Sequence, residues 1–135
     1  MDLAELVKPG MASEETFVVE ERHLAMHIGS GSARVLATPA MIGWMERVAH
    51  LFLSRLIPAE NSSVGVLVNV RHLAPTPLGA AIQVRAEVLS VDGTMVNFAV
   101  RAWDAYEQIG EGQHQRVVID QARFLRRVAV KSAKR

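Results

Sequence analysis

The 135-residue chain contains no cysteine, which excludes disulfide bonds, thiolate catalysis and zinc or iron–sulfur sites built from cysteine. An excess of one charge is also lacking, since 15 Lys and Arg face 14 Asp and Glu and the formal net charge is +1. We therefore expect no nucleic acid and no membrane surface as the main partner. The first residues lack the pattern of a secretory signal, and no stretch approaches the roughly 18 apolar residues of a membrane span. These absences predict a cytoplasmic protein.

Several motifs of enzyme sites are missing as well. The sequence has no GxSxG elbow, no phosphate-binding loop and no dinucleotide fingerprint. His23 and His27 are four residues apart, but neither an HExxH context nor a third ligand accompanies them. We expect neither a metal nor a cofactor.

Hydrophobic residues make up 50% of the chain, and its length fits one domain spanning residues 1–135. The last part, from about residue 122 to 135, carries six basic residues and no acidic one. Chain ends are often poorly ordered, so a solvated, partly frayed basic tail is favoured.

One long helix dominates the pattern of apolar residues. Thr38 suits the N-cap, Pro39 suits the first helical position, and Pro58 stops the helix, which gives a helix over about 39–57. Apolar residues recur at helical spacing in between: Ile42, Met45, Ala49, Phe52, Leu53 and Leu56. A short strand over Thr16–Glu20 and a Gly/Ser loop over 29–32 precede the helix.

At least four strands follow the helix. Alternation predicts strands over 64–72, 82–88, 96–102 and 108–120, with a tight hairpin at Asp92-Gly93. In the first of them Val64, Val66, Val68, Val70 and His72 are expected on one face. The order predicts an α+β fold in which an antiparallel sheet wraps around one long central helix. Such a sheet leaves an edge or a face uncovered, so we expect a homodimer or a higher oligomer.

Three polar residues are candidates for catalysis. Glu46 lies on the edge of the apolar stripe of the helix, where burial disfavours a charged carboxylate and favours its use as a base or nucleophile. A boundary glutamate paired with an arginine is an equal alternative. Thr38 is first of all an N-cap, although a hydroxyl at a helix N-terminus can also orient a carbonyl. His72 ends a valine-rich strand, where a structural role is the commoner one.

The last strand carries Gly110, Gly112, His114 and Arg116 on one face. Glycines weaken a strand unless something approaches the backbone closely, so this face is expected to press on the helix or on a ligand. A simple β-bulge is the alternative.

Three segments resemble the fluoroacetyl-CoA thioesterase-like hotdog proteins. They are residues 37–46 (ATPAMIGWME), residues 65–79 with NVRHLAPTPLG at their end, and residues 109–116 (IGEGQHQR). The resemblance extends from about Glu14 to Ile119. It implies a hotdog fold and a dimer-interface cleft that hydrolyses an acyl-CoA thioester to the free acid and CoA.

The resemblance also implies roles for individual residues. Thr38, Glu46 and His72 match the catalytic positions, with His72 from the same or the other chain, and Gly65 and Arg116 match positions near the substrate. The fluoroacetyl-specific enzyme has lid-forming aromatic residues upstream of its threonine, where this chain has Gly29-Ser30-Gly31-Ser32. A short or otherwise small acyl group other than fluoroacetyl is therefore expected.

Two questions stay open at the level of sequence. The alternative to an enzyme is a non-catalytic hotdog dimer that binds an acyl-CoA or another small ligand. The alternative to a solvated tail is that Arg123 and Arg126 lie near the pocket mouth and attract the coenzyme A phosphates.

Overall fold

The computed structural model describes residues 1–134. In chain order the elements are α1 (Leu3–Leu6), β1 (Ala12–Val18), a 3₁₀ turn (Glu21–His23), α2 (Ala25–Ile28), α3 (Thr38–Ser54), β2 (Asn61–His72), β3 (Ala81–Asp92), β4 (Met95–Trp103), β5 (Gln108–Asp120) and α4 (Gln121–Ala133). The strands form one antiparallel sheet in the order β1-β3-β4-β5-β2. The inner face of this sheet packs on α3, so the predicted α+β architecture is confirmed.

The core lies between α3 and the concave face of the sheet. Helix α3 buries one stripe of side chains: Met41, Trp44, Met45, Val48, Ala49, Phe52 and Leu53. Strands β3 and β4 supply the opposite wall with their inward residues, which are Ile82, Val84, Ala86, Val88, Val96, Phe98, Val100 and Ala102. Both strands alternate in burial as the sequence predicts, because one face of each meets the helix and the other meets solvent.

Helix α3 differs from its prediction at both ends. Thr38 is its first residue and not its N-cap; the cap is Ala37, which makes no side-chain capping bond. The Thr38 hydroxyl is engaged instead with His72, so it does not serve the backbone of the first turn. At the other end the helix stops at Ser54, and Leu56 and Ile57 close a turn onto the carbonyl of Leu53 before Pro58.

Strand β1 covers Ala12–Val18, whereas Thr16–Glu20 was expected. It pairs with β3 from Ala12 opposite Glu87 to Val18 opposite Ala81. The strand begins earlier because β3 extends far enough to pair with it, and it ends earlier because Glu20 caps the following 3₁₀ turn.

The inward face of β2 also differs from the prediction, because the register shifts between Gly65 and Leu67. Val66 is the extra residue of this bulge, and an extra residue moves the following side chains to the opposite face. Ser63 and Gly65 therefore share the inward face with Val68, Val70 and His72. The prediction that Val64 and Val66 share this face is wrong.

The remaining strands follow the sequence closely. Asp92 pairs with Met95, and Gly93 has a positive φ of 62°, which the two-residue turn of the β3–β4 hairpin requires. Strand β5 spans Gln108–Asp120 as predicted.

The basic tail forms a helix from Gln121 to Ala133, which the sequence analysis did not predict. Asp120 caps α4 by accepting a hydrogen bond from the backbone N–H of Arg123. No α4 residue is buried, and Leu125 and Val130 are exposed, so the tail is solvated as expected. Within residues 1–134, no helix has the length and apolar character needed to cross a membrane.

Candidate active site

Thr38 and His72 lie side by side at the N-terminal end of α3. The hydroxyl oxygen Oγ1 of Thr38 is 2.8 Å from Nδ1 of His72 in the same chain. Two contacts align the segments that carry them: the backbone N–H of Leu36 donates to the carbonyl of Thr76, and Val35 forms a bridge with Pro77. The chain before α3 thus runs beside the chain after β2, and this brings the hydroxyl to the imidazole.

A cleft of about 370 Å³ opens beside this pair. Its lining includes Thr38 and His72 together with small and apolar residues: Ala25, Val35, Leu36, Ala37, Leu73, Ala74 and Pro75. Ser30, from the Gly/Ser loop, also lines it. Pro39 has no N–H group and that of Met41 donates to the carbonyl of Ala37, so the N–H groups of Thr38 and Ala40 are the first-turn donors without an intrahelical acceptor, at the positive end of the helix dipole.

The two ring nitrogens of His72 differ in their hydrogen bonding. Burial lowers the pKa of His72 below its ordinary value, which favours the neutral ring at neutral pH. Nε2 is buried and has no hydrogen-bond partner among residues 1–134. A neutral imidazole with one nitrogen on a hydroxyl and the other unpartnered is suited to proton transfer.

Glu46 lies further along α3, beside β2 and β5. Its carboxylate oxygen Oε2 is 3.7 Å from Nη1 of Arg116, and 43% of its side chain is exposed in the single chain. The expected burial of Glu46 is therefore incomplete, and the alternative of a boundary glutamate facing an arginine describes the single chain correctly.

Arg116 is almost fully buried and is held from several sides. Its Nε donates to the hydroxyl of Ser63 at 2.9 Å, and its Nη2 donates to the carbonyl of the same residue at 3.1 Å. Its Nη1 lies 3.1 Å from Nε2 of His114. Burial lowers the pKa of Arg116 and the Glu46 carboxylate opposes this, but a guanidinium stays charged at neutral pH.

Gly65 occupies the point where these groups converge. A Cβ at this position would lie 2.8 Å from Oε2 of Glu46, 3.1 Å from Cε1 of His114 and 3.4 Å from Nη1 of Arg116. The absence of a side chain at Gly65 thus allows the Glu46 carboxylate to lie against the β2 backbone.

The two glycines of β5 also permit close approach, as the sequence suggested. A Cβ on Gly110 would meet the sulfur of Met41 and the methyl group of Met45, so α3 packs directly on this strand. A Cβ on Gly112 would meet the backbone of Asn69 and Val70 in β2.

The five residues singled out from the sequence thus form two clusters. Thr38 and His72 make one, and Glu46, Gly65 and Arg116 make the other. Thr38 and Glu46 are eight residues apart on α3, which corresponds to about 12 Å along the helix axis. The two clusters share one helix face but are not in direct contact within one chain.

Sequence reasoning missed Ser63 and His50. The hydroxyl of Ser63 lies 2.9 Å from Nδ1 of His50, and Ser63 is the main anchor of Arg116. Ser63 was missed because the bulge at Val66 decides which face it occupies. Across the described residues 1–134, no group of three or more His, Asp and Glu side chains is placed to hold a metal ion.

Comparison with solved structures identifies the fold. A hot-dog-like protein from Thermanaerovibrio acidaminovorans superposes with a TM-score of 0.90 at 26% identity, covering 97% of each chain. A structure of the fluoroacetyl-CoA thioesterase FlK superposes with a TM-score of 0.88 at 30% identity, covering 93% of this chain and 97% of that one. The molecule therefore has the hotdog fold of the thioesterase superfamily.

The sequence comparisons narrow this class to a family. The profile of the fluoroacetyl-CoA-specific thioesterase family matches residues 19–122. The fluoroacetyl-CoA thioesterase of Streptantibioticus cattleyicolor is 35% identical over 98 residues, which are 73% of this chain and 70% of that protein. The chain belongs to the fluoroacetyl-CoA-specific thioesterase family and is an acyl-CoA thioesterase, which confirms the enzyme class expected from its sequence.

Proposed function

We propose that this protein hydrolyses a small acyl-CoA thioester to the free acid and CoA, with Thr38, Glu46 and His72 as catalytic residues. The observation that carries the proposal is the 2.8 Å contact between Thr38 and His72 in a cleft at the start of α3. The family relationship adds support, because a variant of the fluoroacetyl-CoA thioesterase has been solved with fluoroacetate and CoA, and another with acetyl-CoA.

In the proposed reaction the thioester carbonyl lies at the N-terminus of α3. Free N–H groups of the first turn and the Thr38 hydroxyl then stabilise the negative charge that develops on the carbonyl oxygen. Glu46 either adds to the carbonyl carbon, giving an anhydride that water hydrolyses, or takes a proton from an attacking water. On both routes the carbon–sulfur bond breaks and the thiolate leaves. Neutral His72 takes up the proton released from the attacking water, directly or by way of Glu46, and passes it to the thiolate.

A second copy of the chain is proposed to complete the site along β2. This strand is an edge of the sheet, and it exposes three consecutive apolar residues: Val66 at 54%, Leu67 at 40% and Val68 at 43%. The other edge, β1, is shorter and carries Glu14 and Glu15. A long apolar edge strand favours pairing with another strand, and a two-fold axis allows β2 to pair with itself.

Antiparallel pairing of β2 with its copy would join the two clusters. Gly65, beside Glu46, lies near one end of the exposed segment, and His72, beside Thr38, ends the strand. Pairing centred near Val68 lays the Gly65 end of one copy opposite the His72 end of the other. Glu46 of one copy would then approach the Thr38–His72 pair of the other. Sedimentation at micromolar concentration should give about twice 14.8 kDa.

The acyl group is proposed to occupy the cleft beside Val35 and Ser30. The segment Gly29–Ser32 provides no aromatic lid, and apart from His72 the lining side chains are small or aliphatic. We expect several short acyl groups to be accepted, without strong selection for fluoroacetyl.

The test is a thioester-cleavage assay with detection of free thiol. The panel should contain acetyl-, fluoroacetyl-, butyryl-, phenylacetyl- and palmitoyl-CoA, and the control protein is Glu107→Gln, changed at an exposed residue. We expect turnover of short acyl-CoAs and little turnover of palmitoyl-CoA. Binding of acyl-CoA without thiol release from any member would contradict the proposed function.

A further inference from the structure

Arg116 is held mainly by groups other than Glu46. Ser63 accepts two of its hydrogen bonds at 2.9 and 3.1 Å, and His114 lies at 3.1 Å, whereas the Glu46 oxygen is at 3.7 Å. Arg116 is 6% exposed and His114 is 1% exposed. A buried guanidinium needs hydrogen-bond acceptors and a nearby negative charge. Here the acceptors come from Ser63 and His114, and the charge comes from Glu46.

The contacts of His114 fix which of its nitrogens carries the proton. Nδ1 is 2.8 Å from the carbonyl oxygen of Leu67, which can only accept, so Nδ1 carries the hydrogen. Nε2 faces Nη1 of Arg116, which can only donate, so Nε2 carries a free electron pair. His114 must therefore be neutral, with its single proton on Nδ1, for both hydrogen bonds to exist.

The contacts of Ser63 likewise fix the direction of its hydroxyl hydrogen. Its hydroxyl oxygen accepts from Nε of Arg116, which leaves the hydroxyl hydrogen free for Nδ1 of His50 at 2.9 Å. A chain of hydrogen bonds therefore runs from His50 on α3 through Ser63 on β2 to Arg116 on β5. This chain ties together three elements that surround Glu46.

We propose that Ser63 and His114 are positioning residues that fix Arg116 beside Glu46, and that proton uptake by His114 breaks this arrangement. The effect on turnover rests on the proposed function, whereas the arrangement itself does not. The hydrogen bonds from Arg116 to Ser63 and His114 persist when the Glu46 carboxylate is neutralised, because these acceptors do not depend on its charge. One hydrogen on Nη1 then remains to face the Glu46 carboxylate or a substrate oxygen.

The surroundings of His114 explain why its protonation is decisive. Arg116 lies beside it on β5, and Glu46 faces it from α3; His50, also on α3, reaches the same network through Ser63. Strand β2 contributes the Leu67 carbonyl, and β4 contributes the stacked ring of Phe98, 6.5 Å between centroids. A proton on Nε2 would replace an acceptor by an N–H group and place a second cation against the guanidinium. Burial keeps the pKa of His114 below its ordinary value, so the neutral ring persists at neutral pH.

Substitutions separate a positioning role from a merely structural one. His114→Phe removes the acceptor, whereas in His114→Gln the side-chain oxygen can accept from Arg116 and cannot titrate. Ser63→Ala removes the hydroxyl and Ser63→Thr keeps it. We expect His114→Phe and Ser63→Ala to lower kcat about 10- to 100-fold with little change in KM, since small displacements of a catalytic charge have effects of this size. The conservative variants should retain kcat within about threefold, and His27→Gln, an exposed histidine, is the matched control.

A double-mutant cycle tests whether the effect passes through Arg116. In an Arg116→Met background, His114→Phe and Ser63→Ala should cause no further loss of kcat, because the residue that they position is gone. Additive losses would overturn the proposal. The acid limb of kcat/KM should also become less steep in His114→Gln, because one of the titrating groups has been removed.

The closing experiment is NMR of the histidine ring nitrogens in the unmodified protein, titrated from neutral to acid pH. We expect His114 to be neutral with its proton on Nδ1, and to take up a second proton only below pH about 6.5, the ordinary range of the side chain. A proton on Nε2 at neutral pH would overturn the proposal, whatever the variants do. This readout needs no turnover, so a protein that failed to cleave acyl-CoA would refute the proposed function and leave the arrangement around Arg116 to be judged separately.

Discussion

The two clusters along α3, one around Thr38 and one around Glu46, are built differently. At the N-terminal end Thr38 and His72 share a single hydrogen bond beside an open cleft, and Nε2 of His72 is left without a partner among the described residues. Further along, Arg116 is locked by Ser63 and His114, and Glu46 faces it. The first end suits the movement of a proton, and the second suits a fixed charge. Substitutions at the two ends should therefore have different signatures.

We expect the largest loss of turnover from substitution of Glu46. Glu46→Gln keeps the shape of the side chain and removes the carboxylate, so we expect kcat to fall on the order of 10²- to 10⁴-fold, the range of an essential base. Sedimentation should stay close to the unmodified protein, whereas the melting temperature should fall, because the buried Arg116 loses the carboxylate that faces it. The matched control Glu107→Gln should be fully active, and near-normal turnover of Glu46→Gln would exclude its catalytic role.

At the proton-transfer end, His72→Ala should lower kcat on the order of 10²-fold. Burial lowers the pKa of His72, so its neutral form is lost only as the pH falls below the ordinary value of about 6.5. The acid limb of the unmodified enzyme should therefore lie below that pH and lose one ionisation in the variant. A pH–rate profile that the substitution leaves unchanged would remove His72 from the mechanism.

Gly65→Ala tests how closely the Glu46 carboxylate must approach the β2 backbone. The added Cβ would lie 2.8 Å from the Glu46 carboxylate, so the carboxylate must move, and we expect kcat to fall about 10- to 100-fold. Gly43→Ala is the matched control, because it lies on the exposed side of α3 with no atom within 4 Å of the added Cβ. That change should raise the free energy of unfolding by about 0.5–1 kcal/mol at unchanged kcat. Equal activity of the two variants would refute the account of Gly65.

The smallest effect is expected from the C-terminal helix. Arg123 lines a groove with Met1 and Asn61, away from Thr38 and His72, and every α4 side chain is at least partly exposed. We expect truncation after Ala122 to leave kcat and KM within about twofold at low and at high salt, since phosphate contacts would be salt-sensitive. A KM that rises at low salt and approaches the full-length value at high salt would assign the coenzyme A phosphates to Arg123 and its neighbours.

The sequence predicted the regular strands better than the surroundings of Glu46 and Arg116. Strand β3 alternates from Ile82 to Val88 and β4 from Val96 to Ala102, so Val84 or Val100 can be assigned to the core from periodicity alone. In β2 the bulge at Val66 reverses the faces; Gly65 is a local signal for a bulge, but the alternating valines on both sides of it favoured an uninterrupted strand. Ser63 was therefore missed, although it anchors Arg116.

The residue pattern already made Thr38, Glu46 and His72 candidates for catalysis, and the resemblance to a family implied a shared site for them with Gly65 and Arg116. Which of them are in contact depends on tertiary structure. The bridge between Val35 and Pro77 brings Thr38 to His72, and the packing of α3 on β5 brings Glu46 to Arg116. The helix of the tail was not predicted, because its only local signal is the Asp120 cap and none of its residues is buried.

The most direct test of the shared site mixes two inactive proteins. Thr38→Ala and Glu46→Gln are purified separately, combined in equal amounts under conditions that exchange subunits, and assayed for thiol release. If Glu46 of one copy serves Thr38 and His72 of the other, half of the dimers are mixed and each holds one intact site, so about a quarter of the unmodified activity should return. If exchange occurs and no activity returns, the site does not combine residues of two copies, and the central claim is contradicted.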